Sequence, residues 1–360
     1  MSDTRRLDWV DAAKGISIIL VVMMHSAYGV GEATGEAGYL HYVIAWATPF
    51  RMPEFFLISG LFLSLVIGRD WLRFTDRRAV HYLYFYALWA VLQIAFKVGL
   101  GGGDPMGALG LLALSAIEPY GVLWFIYMLA VFSLATKLCH ELRAPHWGVV
   151  AMAALMQMSP VHTGSTVVDM FAEYFVYFYG GYAFAPVVFR VVERAEHHVA
   201  LAAAALAAYA LVNGILVFTG GFEMHPVHAE LGFAALPGLH LVLAFTGSIA
   251  LCVASALLMR LNWMSWLRWL GAHSIVIYLS FSIPMAATRV LLLKVGIEDT
   301  SLVSTIVLGT ALVSPLALYW VVRATGWGAF LFERPAWAHL PGTPGSRRFE
   351  QNKAAATPAE

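Results

Sequence analysis

Lys14 and His25 stand eleven residues apart in an otherwise apolar run, Lys14-Gly-Ile-Ser-Ile-Ile-Leu-Val-Val-Met-Met-His25. On a helix, eleven steps of 100° end about 20° past three full turns, so both side chains share one face roughly 16 Å apart along the axis. A neutral imidazole at depth can act as general base toward a hydroxyl. An ammonium at the other end of the stripe can hold an anionic ligand, such as the phosphates of a nucleotide-like donor. The competing reading of Lys14 is an interfacial lysine paired with Asp11 three residues earlier. Ionisable residues inside an apolar span are costly, and they mark functional sites by default.

A second group lies in Phe50-Arg51-Met52-Pro53-Glu54-Phe55-Phe56-Leu57-Ile58-Ser59-Gly60-Leu61. Arg51 and Glu54, three apart, could pair with each other or line the mouth of a site near His25. Ser59 and Gly60 are small enough for close helix approach. A third group, Tyr120-Gly121-Val122-Leu123-Trp124-Phe125, follows Glu118; Trp124 could meet substrate or belong to an interfacial aromatic belt. Arg69, Arg73, Arg77 and Arg78 crowd one loop, with His81 nearby; they either fix topology and touch anionic lipid or help Lys14 recruit a polyphosphate. His225 and His228, with Glu223 and Glu230, have metal-compatible spacing but read better as a solvated loop, so no metal is assigned. No nucleophile elbow, P-loop or dinucleotide glycine motif occurs.

The elements that must position these residues are membrane helices. The chain is 60% hydrophobic and 12% charged, against about 25% charge in soluble domains. Net charge is zero, which gives no bulk attraction to nucleic acid. Two cysteines, Cys139 and Cys252, exclude a disulfide framework. Ten apolar stretches are predicted to span or nearly span, at 13–30, 40–68, 79–99, 121–139, 147–160, 171–191, 198–219, 237–259, 272–294 and 301–323. Pro49 and Pro53 predict a break in the second, and the fifth is short. With the N-terminus inside, eighteen of the 22 lysines and arginines fall on the inner side; Arg51, Lys97, Arg289 and Lys294 fall on the outer side or in the outer half. The expected architecture is an all-α polytopic bundle of about ten transmembrane helices with both termini cytoplasmic. Residues 1–333 form the membrane domain, and 334–360 form a polar, disordered cytoplasmic tail.

Taken together, these residues resemble the acyltransferase-3 family of integral membrane O-acyltransferases, nearest its fucose 4-O-acetylase-like branch. The resemblance rests on Lys14 to His25 preceded by Asp11, on Met52 to Leu61, on Leu123 to Leu129, and on Leu270 to Leu279, in the family's order over about residues 5–325. Arg51, Glu54 and Ser280 depart from that branch's pattern. The resemblance implies transfer of an acyl group, usually acetyl, from cytoplasmic acyl-CoA as co-substrate to a hydroxyl of a sugar, glycan or lipid-linked saccharide. It implies a bacterial inner-membrane location and no bound cofactor. His25 becomes the catalytic histidine and Lys14 the family's basic residue. Arg51, Glu54, Ser59 and Trp124 are candidates for the acceptor side, and Arg73, Arg77 and Arg78 for the donor side. Ser59 and Arg51 are also candidate oxyanion donors. The rival reading is a transporter that uses the Lys14–His25 stripe as a substrate or proton path.

Overall fold

The computed structural model describes residues 7–101 and 104–347. It is 78% helical, with a single two-stranded ribbon, as an all-α membrane bundle requires. In chain order the helices are α1 (Asp8–Thr34), α2 (Tyr39–Leu63), α3 (Trp71–Thr75), α4 (His81–Gly101), α5 (Pro105–Leu114), α6 (Trp124–Glu141), α7 (His146–Gln157) and α8 (Thr166–Ala183). They continue with α9 (Ala185–His197), α10 (Val199–Phe218), α11 (Pro237–Leu258), α12 (Ser265–Ala272), α13 (Ser274–Ser280), α14 (Ser282–Lys294) and α15 (Thr300–Thr325). A π-helical turn, Asp76–Val80, joins α3 to α4. Strands β1 (Glu223–Met224) and β2 (Ala229–Glu230) form a hairpin between α10 and α11.

Among the described residues six helices are long and apolar enough to cross a membrane, or eight if two bent pairs each count as one. The pairs are α8–α9, bent by 74°, and α13–α14, bent by 54°. The chain is therefore an integral membrane protein. Two of the ten predicted spans fall outside this set for different reasons. Helix α7 has 12 residues, about 18 Å, well short of a bilayer core. Helix α2 has 25 residues, but Arg51, Glu54 and two prolines lower its hydropathy. The break predicted at those prolines does not occur; α2 is one continuous helix. Pro49 and Pro53 are both buried within it.

Helix α1 sits at the centre, packed on α2, α11, α12, α13 and α15. Its first turn carries Asp8 and Asp11, which suit the positive end of the helix dipole, and Gly35 closes it in the left-handed conformation. Two glycine seams, one between α1 and α12 and one between α2 and α8, set how close these helices come. A Cβ on Gly271 of α12 would lie 1.6 Å from the Asp11 carbonyl oxygen, and one on Gly15 would lie 2.4 Å from the Leu267 carbonyl oxygen. A Cβ on Gly60 of α2 would lie 2.0 Å from the Phe178 carbonyl oxygen, and one on Gly181 of α8 would lie 2.1 Å from that of Leu57. At both crossings backbone rests on backbone, with no side chain between.

The packed chain continues past the domain boundary expected at residue 333. Arg334 Nη2 reaches the buried Asp76 carboxylate at 2.6 Å, the Leu340 N–H donates to its other oxygen at 2.8 Å, and His339 Nδ1 lies 3.2 Å away. Thr343 and Ser346 are buried. Residues 348–360, the rest of the expected tail, lie outside the described residues.

Candidate active site

Helix α1 carries the predicted axis, and each end has its own surroundings. At the Lys14 end a cavity of about 730 Å³ opens between α1, α2, α4, α6, α12 and α13. Its polar lining includes Asp11, Lys14, Ser59, Arg78, His81 and Tyr82. Lys14 Nζ lies 3.7 Å from Asp11 Oδ1 and 5.5 Å from the centre of the Phe62 ring. The predicted pairing with Asp11 therefore forms within the cavity wall, and one third of the lysine side chain stays exposed. Arg78 leaves the π-helical turn half-buried and donates to the Tyr82 hydroxyl at 3.2 Å. A polyanion entering here would meet the Lys14 ammonium, the Arg78 guanidinium and the His81 imidazole, backed by the apolar surfaces of Phe55, Phe125 and Tyr278.

The other arginines of that loop point elsewhere. Arg73 is exposed and pairs with Asp70 at 3.4 Å, while Arg77 is exposed; neither lines the cavity. Ser59 does line it, but its hydroxyl donates to the Phe55 carbonyl at 2.8 Å, so its proton is already engaged. Ser280 likewise donates to the Val276 carbonyl and is buried.

Farther along α1, His25 is half-buried and makes no hydrogen bond among the described residues; its ring rests 5.5 Å from that of Phe281. The Arg51 guanidinium acts electrostatically on His25, Tyr28, Glu173 and Tyr174. Arg51 is buried, and its Nε and Nη1 groups have no hydrogen-bond partner among the described residues. A buried cation with unmet donors is costly unless something else supplies the acceptors. Among the described residues the site thus holds an imidazole with no hydrogen bond within electrostatic reach of a guanidinium with two unmet N–H groups.

Glu54 is not at the mouth with Arg51. It is fully buried, its Oε2 accepts from the Ser17 hydroxyl of α1, and its Oε1 has no hydrogen-bond partner among the described residues. It is within electrostatic reach of Lys14 and of Cys252 on α11. Glu54 therefore sits along the stripe between Lys14 and His25, and the Arg51–Glu54 salt bridge considered from spacing does not form. Trp124 belongs to an aromatic cluster rather than an exposed belt, with its ring 5.4 Å from Tyr174 and 5.9 Å from Phe56.

Sequence reasoning missed Tyr28, Glu173 and Tyr174 around Arg51. Tyr28 had a signal, since it follows His25 by three on the same face. Glu173 had one too, as a carboxylate in a predicted span. Glu173 also lines a polar cavity of about 370 Å³ with Gln157, His162, Asp169 and His240. The hairpin residues His225, His228 and Glu230 bring possible ligand atoms within 4.8 Å of one another; His41 reaches that hairpin through Pro226, with Nε2 3.0 Å from its carbonyl oxygen.

The four sequence motifs meet around this axis. Tyr278 donates to the Val122 carbonyl at 2.7 Å and accepts from the Ile126 N–H at 3.3 Å, tying the late motif to the Leu123–Leu129 run. Phe56 packs 4.7 Å from the Phe125 ring, which ties that run to the Met52–Leu61 segment. Gly271 sets the late motif against Asp11 on α1. A family model described as an acyltransferase domain matches residues 7–320. Neither a curated protein nor a solved structure matches the chain. With its motifs in order around α1 and the family model covering most of its length, the chain belongs to the acyltransferase-3 family of membrane acyltransferases.

Proposed function

We propose that the protein is an O-acyltransferase of a bacterial inner membrane, moving an acyl group, in the simplest case acetyl, from cytoplasmic acyl-CoA to a hydroxyl of a sugar, glycan or lipid-linked saccharide. The observation that carries this reading is the pairing on one helix of a cation-lined cavity with an unpartnered imidazole about three turns away. The phosphates of the donor would lie by Lys14 and Arg78, and its extended arm would carry the thioester along the stripe toward His25. Positive-inside counting of the lysines and arginines supports a cytoplasmic Lys14 end.

In the reaction the acceptor hydroxyl gives its proton to the His25 imidazole as its oxygen attacks the thioester carbonyl. The C–O bond forms, the oxyanion collapses, the C–S bond breaks, and the imidazolium returns the proton to the departing thiolate. The unmet N–H groups of Arg51 fit the role of oxyanion donor, where charge appears only in the transition state. The polar cavity beside Glu173 offers hydrogen-bonding groups to a hydroxyl-rich acceptor.

The test supplies labelled acetyl-CoA and a crude glycan fraction to membranes containing the protein or its His25→Ala variant. The expected result is transfer with the parent and a fall of about 10²–10⁴-fold in the variant. Undiminished transfer by the variant would remove His25 from the reaction. Absence of transfer together with solute flux in vesicles would favour a transporter.

A further inference from the structure

Lys97, Arg289 and Lys294 are three of the four lysines and arginines that sequence counting assigns to the outer half of the protein, and all three line one groove between α4 and α14. The positive-inside bias does not supply cations on that side, so topology gives no reason for them. Among the described residues none of the three forms an ion pair with a carboxylate. Lys97 and Lys294 are exposed. Arg289 is half-buried and donates to the Gly29 carbonyl of α1 at 2.6 Å.

The rest of the groove, about 690 Å³, is mainly apolar, with Phe96, Ile283, Val290 and Leu291 among its lining. Val290 and Leu291 are 46% and 62% exposed, so this wall faces outward, toward lipid in a membrane. Ser282 also lines the groove, and its buried hydroxyl has no hydrogen-bond partner among the described residues. The groove adjoins the proposed reaction centre in two ways. Gly29, which Arg289 holds, is one helical turn past His25, and Phe281, the neighbour of Ser282, touches the His25 ring.

We propose that this groove seats the diphosphate of a single-chain lipid, with the hydrocarbon along the apolar wall, and that this lipid carries the acceptor hydroxyl. The assignment rests on the acyltransferase reading given above. Charge selects the ligand: three uncompensated cations match the two to three negative charges of a diphosphate, whereas a phospholipid diester carries one. The outward apolar wall selects a ligand that arrives within the bilayer over a soluble nucleotide, which has no chain to bury there.

The protein in phosphatidylcholine nanodiscs would be offered a long-chain polyprenyl diphosphate, the corresponding polyprenyl alcohol or phosphatidylglycerol, and retained lipid would be measured by native mass spectrometry. The diphosphate should be retained about tenfold or more over the other two, and the double variant Lys97→Gln/Lys294→Gln should lose that preference while unfolding at the parent temperature. Equal retention of phosphatidylglycerol would reduce the groove to generic anionic-lipid contact and overturn the proposal. Unchanged retention by the double variant would also overturn it, as would full competition by inorganic diphosphate at equal concentration. The measurement involves no acyl transfer, so its failure would leave the His25 test untouched, and a failed transfer assay would not alter the binding result.

Discussion

Replacing Arg51 by methionine should separate stability from activity. The guanidinium is buried, with Nε and Nη1 unpartnered among the described residues. An unmet buried donor costs about 1–3 kcal/mol, so two such groups burden the resting protein by roughly 2–6 kcal/mol. Methionine keeps much of the side-chain length and removes both donors, while losing some packing. The net expectation is unchanged stability or a gain of about 1–4 kcal/mol, the range seen when buried charges give way to apolar residues. Turnover should move the other way. If those N–H groups meet the oxyanion, kcat should fall about 10²–10³-fold, equivalent to roughly 2.7–4 kcal/mol. Stability can be followed by thiol labelling at increasing denaturant, because Cys252 is fully buried and labels only when the bundle opens, while Cys139 is partly exposed and serves as an internal reference. Transfer is followed with labelled acetyl-CoA. A variant that unfolds several kcal/mol earlier with turnover intact would show that Arg51 holds the fold, and the reasoning from its unmet donors would be wrong.

Three further outcomes follow from the same geometry. Arg78→Gln should raise KM for the acyl donor about 10–100-fold and leave kcat within a few-fold, since a charged contact to phosphate is worth about 1.5–3 kcal/mol and acts on binding alone; a fall in kcat at unchanged KM would place Arg78 at the reacting atoms instead. Gly271→Ala should destabilise by about 1–3 kcal/mol as α12 is pushed from α1, whereas Gly309→Ala on α15, which meets nothing within 4 Å, should be neutral or slightly stabilising; equal effects in Cys252 labelling would refute the seam. The Glu118 carboxylate accepts from the Ser165 hydroxyl at 2.6 Å and the Thr166 N–H at 2.8 Å, and these bonds hold its pKa below the ordinary carboxylate value. Its stabilisation is therefore fully present above the unfolded pKa and is lost as pH falls through the lower folded one. Hydrogen-exchange protection at Thr166 should accordingly persist to mildly acidic pH in the parent and be weak at every pH in Glu118→Gln.

The placement of Lys14 and His25 on α1 was legible because it needs one helix and one periodicity. Spacing alone put Lys14 and His25 on a common face, and the two ends indeed differ in surroundings. The fate of Arg51 and Glu54 was not legible. A separation of three suggests mutual contact, yet each finds its neighbours on other helices: Ser17 for Glu54, and Tyr28, Glu173 and Tyr174 for Arg51. Those approaches are fixed by the glycine seams, whose residues announce close packing without saying which backbone comes close. Hydropathy located most apolar stretches but not their bends, since the turn at Phe184 and that at Phe281 leave composition unchanged. The polar composition after residue 333 suggested a free tail; a single buried carboxylate, Asp76, far away in sequence, gives that stretch somewhere to bind.

The Asp76–Arg334 contact also sets an order of assembly. Asp76 belongs to the same turn as Arg78, one wall of the cation-lined cavity, whereas Arg334 follows the final helix α15. During synthesis the carboxylate is made more than 250 residues before its partner, so the turn must wait without its ion pair while the intervening helices enter the membrane. The cation-lined cavity is thus among the last features to reach its finished shape. A nascent or C-terminally clipped chain could carry every helix of the bundle and still present an immature cavity, which would couple the shape of that cavity to completion of the chain.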